Sequence, residues 1–173
     1  QAASARLQAG EAYAAVRNTP RGEANFDAFL ADLTGYLNST DYLVAFLGDR
    51  AVGLDPDRGT PIWKYPYKTD YDCNIATPLL HKGRVFLSAG ENHGSVMLEL
   101  KKTGTGLVPS VAWQTQGPRA QMRNEWQTSI LLGGFLYGMD NVGGAGPITH
   151  LNCVDIATGK RAWQQPRFGK GNL

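Results

Sequence analysis

The sequence predicts an all-β fold made of β-propeller blades, which are four-stranded antiparallel sheets arranged around an axis. Tryptophans recur at a spacing of 50 residues, at Trp63, Trp113 and Trp163. From about Tyr42 onward the chain consists of short apolar runs broken by turns, as expected for regularly spaced short strands. A repeat of about 40–50 residues with about four strands is the signature of a propeller blade.

Each tryptophan closes a repeated motif, D-x-x-x-G-x-x-x-W, that keeps an acid, a glycine and an indole in register. The motif is complete in the first and third copies, where the structural repeat residues are Asp55, Gly59, Trp63, Asp155, Gly159 and Trp163. The middle copy is looser, since Glu99 takes the acid position and Gly104 follows it before a longer loop to Trp113. Three motifs in phase indicate three structural repeats.

The chemistry of the motif suits a turn between two strands of one blade. An acid at the end of a strand accepts a hydrogen bond from a turn amide two residues further on. The glycine supplies the positive φ that a longer hairpin loop needs. The indole then lies on the returning strand, where we expect its large ring to fill the wedge between neighbouring blades.

The first forty residues differ from the remainder. Apolar residues at i, i+3, i+4, i+7 and i+11 form one helical stripe, namely Phe26, Phe29, Leu30, Leu33 and Leu37. Asn25 can cap the start of this helix and Gly35 can end it. We therefore predict a helical N-terminal segment over residues 1–40, packed on its own domain or on a partner, and about three blade repeats over 41–173.

Composition and motifs exclude several functions. The net charge of +2 is small, so nothing demands nucleic acid or an anionic membrane, and no apolar run is long enough for a membrane span. His81, His93 and His150 have no metal-ligand spacing, and no serine lies in a G-x-S-x-G elbow. We assign no catalytic and no metal residues.

Cys73 and Cys153 are expected to be buried free thiols in strands, with a long-range disulfide as the alternative.

Polar residues recur in the segments that link one blade to the next. Asn74 and Asn124 each follow their tryptophan by eleven residues, where the chain passes from the outer strand of one blade to the inner strand of the next. We therefore predict a polar ring at the rim of the central channel that binds a polar ligand or an ion, formed by Asp72, Asn74, Arg123, Asn124, Glu125 and Lys170. The alternative is that these side chains tie down loop backbone with unpaired groups.

The repeat resembles a known blade signature, A-x-D-x-x-T-G-x-x-x-W. The stretches from Val52 to Trp63 and from Cys153 to Trp163 are similar to it, and that signature belongs to the PQQ-like (quinoprotein-type) β-propeller family. The stretches Thr69–Asn74, Met122–Asn124 and Gly169–Leu173 resemble bacterial secreted propellers of unassigned function. The resemblance covers about residues 42–173, and it identifies a fold better than a function.

The repeat and the absence of any catalytic set favour a non-catalytic scaffold that binds a protein or a ligand. The resemblance implies that it lies in the periplasm or outside the cell. The alternative is a quinoprotein oxidoreductase with pyrroloquinoline quinone and Ca²⁺ in the channel. Family enzymes resemble one another in two adjacent cysteines and a carboxylate–amide calcium set; the chain has no adjacent cysteines. We expect no cofactor in the scaffold, and we expect Trp126 to pack in its loop rather than to stack on one.

The number of repeats bears on the partners. About two and a half to three blades fit in residues 42–173, whereas closed propellers use about four to eight. An open arc leaves strand edges and a hydrophobic face uncovered. We therefore expect another protein, a second copy or a second chain to complete the propeller.

Overall fold

The computed structural model describes residues 42–90, 93–104, 106–142 and 148–173. Within these residues the regular structure is β-strand, apart from one 3-10 turn at Gly117–Arg119. The predicted all-β fold is therefore confirmed, while the helical segment predicted for residues 1–40 lies outside the described residues. The described part of the chain has no helix long and apolar enough to cross a membrane.

Three antiparallel sheets follow one another along the chain, and we call them the first, second and third blade. The first contains β1 (Leu43–Leu47), β2 (Arg50–Leu54) and β3 (Pro61–Pro66). The second contains β4 (Leu79–His81), β5 (Arg84–Ala89), β6 (Gly94–Thr103) and β7 (Gly106–Gln116). The third contains β8 (Ile130–Leu132), β9 (Phe135–Val142), β10 (Ile148–Asp155) and β11 (Arg161–Gln165). Strands pair in chain order within each sheet, which is the predicted arrangement of blades in an incomplete ring.

The inner hairpins of the second and third blades use tight turns. Lys82 and Gly83, between β4 and β5, have φ values of 49° and 71°, and Gly133 and Gly134, between β8 and β9, have values of 58° and 83°. Positive φ at both central residues matches the right-handed twist of the flanking strands. These turns therefore start both four-stranded blades in the same way.

The acid of the repeat motif forms the predicted turn in the first and third blades. The Asp155 carboxylate accepts hydrogen bonds from the N–H groups of Ala157 at 2.9 Å and Thr158 at 2.8 Å. Asp55 accepts from the two equivalent amides at 2.8 and 3.0 Å. The glycines four residues after each acid have φ values of 66° and 70°, which explains why this position takes glycine.

The three tryptophans occupy the same register on the outer strand of each blade. Their cross-strand partners are Gly53 for Trp63, Met97 for Trp113 and Cys153 for Trp163. A β-bulge follows this pair at once in all three blades. A bulge strengthens the local twist of a strand. The three blades therefore repeat the same backbone geometry as well as the same sequence motif.

The middle copy departs from the prediction at its turn. Glu99 keeps the register of the two aspartates, but it lies inside β6 opposite Ser110. The hairpin continues to the Thr103–Gly106 pair, and the carboxylate of Glu99 lies 3.9 Å from Arg84. The chain between β6 and β7 is long enough to extend the ladder, so the acid position is not a turn here.

Trp63 and Trp113 lie between successive blades, as predicted. Trp63 is buried among residues of the first and second blades, including Val85, Leu87 and Leu98. Trp113 of the second blade lies on the turn of the third blade, where its indole Nε1–H donates to the carbonyl oxygen of Ile156 at 2.9 Å. A Cβ atom on Gly159 would lie 2.5 Å from the Trp113 ring. Glycine at this position therefore lets the indole contact the backbone.

The two cysteines are free, so the disulfide alternative is wrong. Cys153 is buried in β10, as predicted. Cys73, in contrast, is partly exposed and lies in the loop between the first two blades. Its neighbours Asp70, Tyr71 and Asp72 are exposed, which keeps this part of the loop at the surface.

Candidate ligand-binding rim

The segments that link the blades all lie at one end of the sheets. Pro66, at the end of β3, pairs with Arg50 at the start of β2, so the outer strand ends beside the β1–β2 hairpin. The linkers then lead to the innermost strands, and the backbone N–H of Thr77 donates to Thr128 Oγ1 at 2.9 Å. These threonines precede β4 and β8 respectively, so the inner strands of adjacent blades begin side by side.

Asn124 holds the second linker in place. Its side chain is 1% exposed. Its Nδ2 donates to the carbonyl oxygen of Met139 at 3.0 Å, and its Oδ1 accepts from the hydroxyl of Ser129 at 2.8 Å. Its backbone N–H donates to Ser88 Oγ at 2.9 Å. These bonds join the second blade, the linker and the third blade. Asn124 therefore has the alternative role considered in the sequence analysis, in which the side chain ties down loop backbone.

Asn74 ties the first linker, with different partners. Its Nδ2 donates to the carbonyl oxygens of Leu47 at 2.6 Å and Tyr67 at 2.9 Å, both in the first blade or at its end. Its Oδ1 is buried without a hydrogen-bond partner among the described residues. Asp72, two residues earlier, is exposed with a φ of 53°. A Cβ atom on Gly48 would lie 2.8 Å from the Asp72 Cβ, so Asp72 lies over the β1–β2 hairpin.

Arg123 forms a buried ion pair with Asp140, which is not one of the predicted ring residues. Its Nε lies 2.6 Å from Asp140 Oδ1, and its Nη2 lies 2.9 Å from Oδ2. The Arg123 backbone N–H also donates to Asp140 Oδ1 at 3.1 Å. The two residues are 7% and 0% exposed. Such a two-pronged contact fixes the guanidinium group in one orientation.

Glu125 and Lys170 are the two predicted residues whose side chains the structure brings together. Lys170 Nζ lies 2.9 Å from Glu125 Oε2, and the Asn141 side-chain amide donates to the same oxygen. A cleft of about 290 Å³ lies beside the pair, lined by Glu125, Trp126, Gln127, Asn141 and the segment 170–172. We call it the rim cleft.

Trp126 lies at the rim cleft with 68% of its surface exposed. The expectation that it packs in its loop is therefore wrong. The neighbouring side chains at Asn124 and Gln127 are buried and hold the loop backbone, which leaves the indole outside. The sequence signal was available, because Trp126 is the one tryptophan outside the repeat.

A second cleft, of about 420 Å³, lies where the second linker meets the third blade. Its polar and charged lining consists of Arg119, Gln121, Arg123, Asp140, His150, Arg161 and Gln164. We call it the basic cleft. Sequence analysis missed it because its residues come from the linker, β9, β10 and β11, with no local spacing that joins them.

The carboxylate and amide side chains of the predicted polar ring do not fit a calcium site. Ca²⁺ takes about six to eight oxygen ligands, whereas the Asn124 oxygen already accepts from Ser129 and the Glu125 carboxylate already faces a lysine cation. Asp72 and Asn74 belong to the other linker. Within the described residues, no group of three or more His, Cys, Asp and Glu side chains is placed to hold a metal.

No protein-family model and no curated protein sequence matches this chain, whereas solved structures do. The quinohemoprotein alcohol dehydrogenase from Comamonas testosteroni matches with a TM-score of 0.51 and 18% identity, over 72% of this chain and 19% of that chain. A europium-containing methanol dehydrogenase matches with a TM-score of 0.51 and 14% identity, over 72% of this chain and 22% of that chain.

BamB from Moraxella catarrhalis also matches, with a TM-score of 0.47 and 16% identity, over 72% of this chain and 33% of that chain. The chain thus spans between a fifth and a third of the length of these structures. At such identities the likeness concerns the fold. The two alignments with the dehydrogenases carry that conclusion, and the site must be argued from its own residues.

Proposed function

We propose that this chain, which has the fold of the quinoprotein-type β-propellers, is a non-catalytic scaffold that binds a protein partner at the rim cleft. The observation that carries the proposal is the exposed indole of Trp126 beside the Glu125–Lys170 pair. Exposed tryptophans are enriched among the residues that dominate binding energy at protein interfaces. The ion pair next to it supplies fixed charges that orient a partner.

The contacts that hold the backbone next to the Trp126 indole support this role. Asn124, two residues earlier, is buried and hydrogen-bonded through both Nδ2 and Oδ1. Glu125 packs on the β5–β6 hairpin, since a Cβ atom on Gly90 would lie 3.0 Å from its Cβ. A side chain presented by rigid backbone loses little conformational entropy when it binds. The rim cleft is therefore suited to an apolar pocket on a partner, flanked by polar groups.

The test compares Trp126→Ala with a matched exposed apolar residue. Leu132 is 67% exposed in the β8–β9 hairpin, at the opposite end of the blade from the linkers. The partner is purified by its affinity for the wild-type chain. We expect Trp126→Ala to raise the dissociation constant about 30-fold, which is equivalent to about 2 kcal/mol of binding free energy. Leu132→Ala should leave it unchanged. Equal binding by both variants would refute the rim cleft as the binding site.

A titration distinguishes the alternative function, a quinoprotein oxidoreductase, from the proposed scaffold. Pyrroloquinoline quinone with Ca²⁺ is added to the protein while tryptophan fluorescence is followed. We expect no saturable change, because the oxygens of Asn124 and Glu125 are already engaged. A saturable change at one equivalent, accompanied by dye reduction with an alcohol, would replace the scaffold proposal.

Neighbouring blades are the second kind of partner. Trp163 occupies the register of Trp113 but is 46% exposed. The turn at Gly59 has the geometry of the Gly159 turn, yet it is exposed and no described atom lies within 4 Å of a Cβ built there. We infer that further blades cover both surfaces, from the same polypeptide, a second copy or another chain. A periplasmic or secreted location remains part of this proposal and is checked by fractionation of cells that express the chain.

A further inference from the structure

We propose that the basic cleft binds a small oxyanion, a carboxylate or a phosphate. The proposal is independent of the rim cleft, because the two clefts share no lining residue. The charges of the lining, the hydrogen-bond donors it offers and the size of the cleft all favour such a ligand.

The charge balance of the basic cleft is positive. Three guanidinium groups line it, those of Arg119, Arg123 and Arg161, against a single carboxylate, Asp140. Asp140 is 0% exposed and is bound by Arg123 through both carboxylate oxygens. That pair neutralises itself, so Arg119 and Arg161 leave two positive charges in the cleft. Both are exposed, and no hydrogen bond or ion pair among the described residues engages either side chain.

The cleft also offers a histidine in a defined tautomer. The backbone N–H of Arg167 donates to His150 Nδ1 at 3.0 Å. Since Nδ1 acts as the acceptor, a neutral His150 ring carries its proton on Nε2, which is then a donor. His150 is half-buried, and the hydrogen bond from Arg167, which follows β11, holds its ring in place. Guanidinium and imidazole N–H groups together form a lining rich in donors.

The wall of the cleft is held by further hydrogen bonds. Gln164 Nε2 donates to Asn152 Oδ1 at 2.9 Å, which fixes the Gln164 amide between β10 and β11. Arg123 is held by Asp140, which accepts hydrogen bonds from its guanidinium group and from its backbone N–H. A lining fixed in advance lowers the entropy cost of binding. Gln164 and Arg123 are therefore fixed before a ligand arrives, while Arg119 and Arg161 are free to turn toward it.

The chemistry of these donors selects the ligand class. A guanidinium group presents a planar fork of N–H donors that matches the two oxygens of a carboxylate or phosphate. The volume of about 420 Å³ falls within the range of small-molecule sites, about 300–1,000 Å³. A cation is disfavoured by the two uncompensated arginines, and an apolar molecule would leave their charges desolvated without partners.

The experiment titrates the full chain with inorganic phosphate and, separately, with succinate, in low-salt buffer while amide and His150 ring signals are followed by NMR. We expect saturable shifts at residues 119–123, 150 and 161–164. Tighter binding of phosphate assigns the site to phosphates, and tighter binding of succinate assigns it to carboxylates; either result supports an oxyanion site.

The variants Arg119→Gln and Arg161→Gln should each weaken binding of the tighter anion by about tenfold, the loss expected for one charged hydrogen bond. Arg58→Gln is the matched control, because Arg58 is 79% exposed on the first blade, remote in sequence from the cleft. It should change the affinity less than twofold. Absence of saturation with both anions, or equal losses from Arg58→Gln and Arg161→Gln, would overturn the proposal. Because Arg119 and Arg161 are exposed, we expect both variants to fold, which circular dichroism checks.

Discussion

Replacing Gly159 by alanine tests the contact that joins the second blade to the third. The chain supplies its own control, since Gly59 occupies the same turn in the first blade. Their φ values are 70° and 66°, so an alanine meets the same backbone penalty at both sites. The surroundings differ. The new Cβ would lie 2.5 Å from the Trp113 ring at position 159, whereas no described atom lies within 4 Å at position 59.

The expected magnitude follows from these distances. An alanine in the left-handed region costs about 1–2 kcal/mol, which is partly offset by the lower entropy of the unfolded chain. Both variants carry that term. At position 159 the ring must also retreat by about 1 Å, since carbon atoms pack at about 3.5–4.0 Å. We expect this overpacking to cost a further 1–3 kcal/mol or so, and loss of the Trp113–Ile156 hydrogen bond to add about 1 kcal/mol.

The assay is urea denaturation followed by circular dichroism, with the free energy of unfolding extrapolated to water. Gly159→Ala should lose about 2–4 kcal/mol more than Gly59→Ala. A third variant, Trp113→Ala, tests the cause. In its background the Gly159→Ala substitution should cost no more than Gly59→Ala does, because the clashing ring is gone. Equal losses for the two glycine variants in the wild-type background would refute the docking contact.

Two further predictions concern stability. Arg123→Ala and Asp140→Ala should each lower the free energy of unfolding by about 3–5 kcal/mol, because each leaves a buried charge unpaired; the double variant, measured by the same urea denaturation, should lose less than the sum. Hydrogen bonds from the Thr158 amide and hydroxyl hold the pKa of the Asp155 carboxyl below its usual range. The folded-state pKa is therefore below the unfolded value of about 3.9, so the stabilisation is present above that pH and is lost as the pH falls through the folded-state pKa. Asp155→Asn should be less stable than wild type at pH 7, with the difference shrinking below about pH 4; a difference that stays constant with pH would contradict the charge-based explanation.

Most of the blade architecture could be predicted from the sequence, because it depends on local motifs and on their regular spacing. The spacing of Trp63, Trp113 and Trp163 fixes a register that the structure repeats to the level of the bulge. The acid–glycine turn at 155–159 depends on hydrogen bonds within five residues. Glu99 shows that register alone does not determine a turn. A residue in the correct register makes no turn when the strands around it are able to extend.

The candidate site was harder to predict, because neighbours in sequence face different surroundings. Arg123, Asn124 and Glu125 are consecutive, yet the first pairs with Asp140, the second is buried in loop hydrogen bonds and the third meets Lys170. A register argument places all three at one rim and cannot separate their directions. The basic cleft was missed for a related reason, since Arg119, His150 and Arg161 meet only through the pairing of β9, β10 and β11 and the path of the linker.

The most direct test of the account is hydrogen exchange at the indole N–H groups, measured by NMR at high dilution. We predict strong protection of the Trp113 Nε1–H, which donates to Ile156 across the blade boundary. Trp163, in the same register but 46% exposed, should exchange at a rate close to that of a free indole. Equal exchange at the two positions would contradict the claim that evenly spaced tryptophans join successive blades.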